Sequence, residues 1–235
     1  MADVPLSHAS AALLAGTAWH WLGRAPFAAM VDRNRAMAAA VAAGAPGEIV
    51  FFEPSDAVYA LGRRAQNPAG RAAIADSLTA CAAKQIAIVD VDRGGLGTLH
   101  APGQIVAFLA VPCHRWHARQ LCEELLWGIR QLARDCGLEA RCDLADDVGV
   151  WLGAGKLASL GLRLCDDVAQ HGVAINIRVD GRLQQGLVLC GKSSIALTNL
   201  EDAGDLRATE LSTWAERIAA HWQLSPPVGP GQECL

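Results

Sequence analysis

Four polar side chains, Arg93, Thr98, His100 and Gln104, fall within the twelve residues RGGLGTLHAPGQ. One apolar run, IAIVDV (86–91), precedes the segment, and another, QIVAFLAV (104–111), overlaps its end. Polar groups converging at strand ends are what a binding cleft needs. The glycines among them permit positive φ and let a ligand approach the backbone. A bare turn explains the glycines but accounts less well for the polar cluster. The segment is neither GxGxxG nor a loop ending in GK[ST], so it does not indicate a mononucleotide cradle. Lys156 opens the apolar stretch KLASLGLRL, His171-Gly172 precedes another, and Cys190-Gly191 follows LVL. Singly each is ordinary: a lysine at a strand start is usually a solvated edge, and one cysteine of eight is usually packing. Cys113, His114, His117 and Cys122 also cluster. No CxxC pair accompanies them, and zinc sites usually show two paired-ligand half-motifs, so a helix that happens to carry them is the favoured reading.

These positions need a scaffold. The spacing predicts a helix over 27–43, with Phe27, Met30, Val31 and Val41 in an Ala-rich background and Gly44 and Pro46 ending it. A strand at 48–53 and a loop with some strand at 54–67 follow. Residues 70–83 read as a second helix, 86–91 as a buried strand, 93–103 as a Gly-rich connection and 104–111 as a strand. The longest helix runs from about His114 to Cys136, with Leu121, Leu125 and Ile129 at intervals of four and Gly137 as its cap. Strands at 149–153, 156–164 and 172–179 come in succession. A last helix spans 209–222, with Thr209 at its start. Residues 1–20 show no period and read as a loosely held arm, and 224–235 as a frayed Pro/Gly-rich tail. Strands in blocks with helices between and after them imply an α+β fold with a mixed, largely antiparallel sheet.

Composition narrows the functions. The 235 residues are 52% hydrophobic and 19% charged, enough for a sizeable core and inconsistent with a disordered chain. A net charge of -4 argues against nucleic acid held on a broad basic face. No apolar run reaches the roughly 18 residues of a membrane span. No Lys or Arg precedes Arg24, so the start looks like neither a signal nor a transit peptide. The expectation is a cytoplasmic chain with reduced thiols.

Taken together, the segments resemble a known family. RGGLGTLHAPGQ fits R-G-G-x-x-T-x-H-x-P-G-Q, the signature of the octanoyltransferases of lipoic acid synthesis. GVWLGAGKLASLGLRL, HGVAIN and VLCG follow in that family's order and spacing, and LGRAPFAAM looks like its start. The likeness runs from about Leu22 to about Thr198. The lipoate–protein ligases share the fold but resemble this sequence less, lacking a thiol at the position of Cys190. Departures are FEPSD at 52–56 where the family reads like EHPP, Ala101 for a Gly, Leu189 for a Pro, and a loosely matching GKSSIALTNL after Cys190.

The resemblance implies a biotin/lipoate ligase-type fold, with residues 21–223 as a single catalytic domain. It implies that an octanoyl group passes from acyl carrier protein to Cys190, activated by Lys156, and then to a lysine of a lipoyl domain. That domain would belong to a 2-oxoacid dehydrogenase complex or be the glycine cleavage H protein. It places the acyl site at Arg93, Gly94, Gly95, Leu96, Gly97, Thr98, Leu99 and His100, at Ser159, Leu160 and Gly161, and at Gly172, Val173 and Ala174, with His171 supporting. No metal, cofactor, nucleic acid or membrane is expected. The chemistry is coherent. Thioester exchange onto a thiol is near thermoneutral and amide formation is downhill, so no ATP is required. A free thiol of pKa ~8.5 is only a few per cent thiolate near neutrality, and a close ammonium stabilises that form. Arg63, Arg64 and Arg71 are the candidate basic patch for an acidic carrier protein, weighed against a solvated loop. The other readings weighed are an amidotransferase between protein lysines, an ATP-dependent ligase, and a non-catalytic acyl-binding module of the same fold.

Overall fold

The computed structural model describes residues 12–189, 195–204 and 209–225. In chain order the elements are β1 (Ala18–Ala25), α1 (Phe27–Ala42), β2 (Glu48–Pro54), β3 (Val58–Leu61), α2 (Pro68–Ala73), α3 (Ala75–Lys84), β4 (Ala87–Asp90), β5 (Gly97–His100) and β6 (Gln104–Pro112). Then come α4 (Ala118–Asp135), β7 (Ala140–Asp143), β8 (Gly149–Leu152), β9 (Gly155–Cys165), β10 (Val168–Asn176), β11 (Ala196–Leu197), α5 (Leu200–Ala203) and α6 (Leu211–His221). Among the described residues, one sheet has eight strands, in the order β1-β2-β6-β10-β9-β8-β7 with β11 on β9, and a smaller sheet runs β4-β3-β5. Only β1–β2, β9–β11 and β3–β4 pair in parallel among these residues. The α+β fold with a mixed, mostly antiparallel sheet is as expected.

The large sheet is covered on both faces, which is why β2 and β6 carry continuous apolar runs. Along β6, Ile105, Ala107 and Leu109 pack with Leu121, Leu125 and Ile129 of α4 and Trp214 and Ile218 of α6. The alternate residues Val106, Phe108 and Ala110 pack with Phe27, Val31 and Met37 of α1. A third cluster joins Tyr59, Leu61 and Leu99 of the small sheet to Trp151, Leu187, Leu189 and Ile195. Among the described residues, no helix is long and apolar enough to cross a membrane.

Several local expectations need correction. Residues 12–20 are not loosely held: Leu14 is fully buried, the Leu13 and Leu14 N–H groups donate to the Glu124 carboxylate, and β1 begins at Ala18. The apolar run 86–91 is not a buried strand throughout. Its central residues form a short edge strand of the small sheet, and Ile88 is 44% exposed. The helix expected over 70–83 breaks at Ile74 into α2 and α3. Thr209 does not cap α6, whose N-cap is Glu210; the Thr209 carbonyl instead accepts from Arg178.

Candidate active site

The loop after β4 and the strand β5 fold over the middle of β9 and β10 and leave a cavity of about 420 Å³. Its floor on the α1 side is apolar, built from Phe27, Val106 and Phe108. The resemblance-derived residues Arg93 to Thr98, His100, Ser159 to Gly161, His171 and Gly172 to Ala174 all line it. Leu99 does not: alternation along β5 turns it into the third cluster, 1% exposed. Arg64 reaches the cavity wall, whereas Arg71 pairs with Asp90 at 3.6 Å on the surface. Among the described residues, no group of three or more His, Cys, Asp or Glu is arranged to hold a metal ion, and His114 pairs with Asp167.

Arg93 organises the Gly-rich loop from within. Its guanidinium donates to the Gly94 and Ala60 carbonyls and to Thr98 Oγ1, at 2.6, 3.2 and 2.6 Å. Its stem lies on β9, where a Cβ at Gly161 would come 2.6 Å from Arg93 Cδ. Gly97 is needed for a similar reason: a Cβ there would overlap the Tyr59 phenol. That phenol donates to the Val188 carbonyl at 2.5 Å, Val188 N–H donates to Ser77 Oγ at 2.6 Å, and Lys84 Nζ donates to the carbonyls of Arg182 and Gln185. The small sheet and α3 thus hold the chain that leads to Leu189.

Behind the cavity runs a buried polar chain. His100 Nδ1–H donates to Gln104 Oε1 at 3.0 Å, Gln104 Nε2 donates to Asn176 Oδ1 at 2.9 Å, and Asn176 Nδ2 donates to the Lys156 carbonyl at 3.0 Å. An amide oxygen only accepts, which fixes the proton on His100 Nδ1. Phe27 stacks on the His100 ring at 4.3 Å. Lys156 is 1% exposed and lies between β8 and β11, its Nζ 5.3 Å from the Trp151 ring centroid. It is not part of the cavity lining. Cys190 lies outside the described residues. Cys122 does line the cavity, but burial above all pushes its thiol up to about 11, with Cys113 and Glu123 adding to the shift. It is therefore a protonated thiol near neutral pH, and a poor nucleophile.

Both cavity histidines are held neutral. Burial, then the Arg93 charge, lowers His100 to about 3 against the raising effect of its Gln104 bond. Burial, then Arg93, Arg163 and Arg35, lowers His171 to about 4. Unfolded, each titrates near 6.5. Between that value and the folded ones the unfolded chain binds more protons. The stability contribution is therefore fully present above pH 6.5 and is lost as pH falls through the window toward 4 and 3. The urea midpoint is expected to drop between pH 7 and pH 4.5, and less steeply in His100→Gln. A midpoint that stays level across that range in the parent chain would contradict the burial of both rings as neutral groups.

Sequence reasoning missed Asp92, Asn34 and Asn176. His171 Nε2 lies 2.6 Å from Asp92 Oδ1, and Asp92 is ion-paired with Arg163. Asn34, fully buried on α1, bonds the His171 N–H. An Asn at the i+3 position of the apolar stripe Phe27–Met30/Val31–Met37 was the available signal, since a buried amide requires partners.

Comparison with known proteins places the chain. An octanoyltransferase of Laribacter hongkongensis is 36% identical over 138 residues, 58% of this chain and 65% of that protein. An octanoyltransferase of Pseudomonas savastanoi is 37% identical over 130 residues, 54% of this chain and 59% of that protein. The matched stretch therefore spans about three fifths of these relatives' length. A lipoate-protein ligase A crystallised with ATP superposes with a TM-score of 0.73 at 12% identity, covering 92% of this chain and 90% of its own. A bipartite lipoate protein ligase from Thermoplasma acidophilum gives 0.66 at 13%, covering 93% and 88%. At such identities these structures show the fold alone. Residues 28–223 match the family described as the lipoyl protein ligase A/B catalytic domain. That stretch is most of the sequence, and the chain belongs to this family.

Proposed function

We propose that the chain is an octanoyltransferase, moving an octanoyl group from acyl carrier protein to the lysine of a lipoyl domain through a cysteine thioester, with no cofactor. The acceptor is a lipoyl domain of a 2-oxoacid dehydrogenase complex or the glycine cleavage H protein. The catalytic unit is residues 21–223, and the reaction belongs to the cytoplasm. The observation that carries this reading is the cavity. An apolar floor under a rim of Arg93, Thr98, His100 and His171 suits an aliphatic chain ending in a carbonyl. The octanoyltransferase relatives support the same choice of acyl group.

Cys190 is the nucleophile and Lys156 its partner. The thiolate attacks the thioester carbonyl. The new C–S bond forms, the donor's C–S bond breaks, and the donor thiolate takes up a proton from the Lys156 ammonium. The acceptor amine then attacks, the C–N bond forms, the Cys190 C–S bond breaks, and the amine's proton passes back to Lys156. Two features support this pairing. The cavity's own described thiol, Cys122, is protonated. Leu189, next to Cys190, shares a packed cluster with Trp151, over which the Lys156 ammonium lies.

The test is intact-protein mass after mixing with octanoyl-acyl carrier protein without ATP. A gain of one octanoyl group, discharged by an added lipoyl domain, is expected. No adduct, with transfer appearing only when octanoate and ATP are supplied, would replace this reading with the ligase one.

A further inference from the structure

His171 breaks the geometry of the strand that carries it. It lies inside β10 at φ 67°, a conformation that a non-glycine residue keeps only where its surroundings impose it. Alternation would send residue 171 to the α4 face with Ala169 and Val173. The left-handed turn takes it out of that parity. Its ring packs edge-on against Phe108, on the α1 face, at 5.9 Å, and Nε2 reaches Asp92.

The ladder does not close directly at this point. His171 and Leu109 are register partners of β10 and β6, yet the carboxamide of Asn34 stands between them. Asn34 Oδ1 accepts the His171 N–H at 2.8 Å, and Nδ2 donates to the Leu109 carbonyl at 2.8 Å. A side chain of α1 thus satisfies the N–H of one residue and the C=O of the other in a distorted pair, at the residue whose ring lines the cavity. Asp92, ion-paired with Arg163, only accepts hydrogen bonds. The hydrogen of the 2.6 Å contact therefore sits on His171 Nε2, and Nδ1 is the ring's acceptor.

We infer that Asn34 and Asp92 are positioning residues that present His171 Nδ1 to the cavity as a hydrogen-bond acceptor for an N–H of the substrate. The inference rests on the acyl-transfer reading. Two substrate groups carry such an N–H: the attacking lysine amine, and the amides of the arm that delivers the thioester. With the ring's one proton held on Nε2 by Asp92, Nδ1 offers a lone pair that orients the N–H.

Nitrogen-15 NMR of the full chain labelled at histidine reads the tautomer. The parent is expected to carry the His171 proton on Nε2. In Asp92→Asn, whose amide can donate to Nε2, the proton is expected to move toward Nδ1. Acyl loading and discharge are then followed separately by intact mass in single turnovers. Asp92→Asn is expected to slow one of the two by roughly 10- to 100-fold, and Asn34→Asp, which lacks the Nδ2 donor, to slow the same one. Loss in discharge assigns the amine; loss in loading assigns the delivering arm. A parent with the proton on Nδ1 overturns the inference even if a variant does not fold. So does a switched tautomer with both half-reactions at the parental rate. A parent that takes up no acyl group refutes the transfer reading instead, and leaves the tautomer to decide how His171 is held.

Discussion

Cys190→Ala is expected to abolish acyl uptake and to reduce transfer to a lipoyl domain by at least about 1,000-fold. What survives is direct attack of the amine on the bound thioester, assisted only by binding. The thermal midpoint is expected to stay close to that of the parent chain, because the substitution removes a single sulfur atom. Cys190→Ser should also be severely impaired, because an alcohol is far less ionised than a thiol near neutral pH. Single-turnover mass spectrometry with octanoyl-acyl carrier protein checks both variants. Transfer by Cys190→Ala at the parental rate would sink the covalent route.

Lys156→Met comes next in expected effect. Methionine keeps most of the apolar stem that packs near Trp151 and against Gly149, where a Cβ would come 2.6 Å from Lys156 Cε. It removes the ammonium. The loading rate is expected to fall about 100- to 1,000-fold, the range of a lost acid–base partner, with a smaller loss of acyl binding, since Lys156 does not line the cavity. Raising the pH should restore part of the rate, because hydroxide then generates the thiolate that the ammonium no longer favours. Lys156→Ala is a poorer probe, because deleting a buried stem costs about 2–4 kcal/mol of stability by itself. An unchanged loading rate in Lys156→Met, measured by stopped quench across pH 6–9, would remove the assigned role.

The elements with strong periodicity were legible: α1, α4 and α6 from their apolar faces, β2 and β6 from continuous apolar runs buried on both sides. Edge strands were not. Most residues of β1 are only partly buried, and β7 has four residues with Ala140 and Asp143 buried at its two ends, so neither alternation nor an apolar run marks them. In β4 the failure ran the other way, because an apolar run looks the same at a sheet edge as at its centre. For the site, the resemblance supplied the cavity-lining residues but not what holds them. Asn34 and His171 are 137 residues apart, and Asp92 and His171 are 79 apart. No local pattern links them, and the parity change at His171 is invisible without the backbone. Gln104 was noticed as part of a polar cluster, but its bond to Asn176 crosses 72 residues.

The bonds from Tyr59, Ser77 and Lys84 to the 182–188 stretch have a consequence for how the protein fails under stress. They tie the approach to Cys190 to the same small layer that carries the Gly-rich loop, and the large sheet closes its own core with α4 and α6. The small layer and the stretch it grips are expected to open together, as a local unit, more readily than the main sheet. Heat inactivation is expected to precede the loss of bulk secondary structure followed by circular dichroism, and a ligand that bridges the cavity is expected to raise the first transition more than the second.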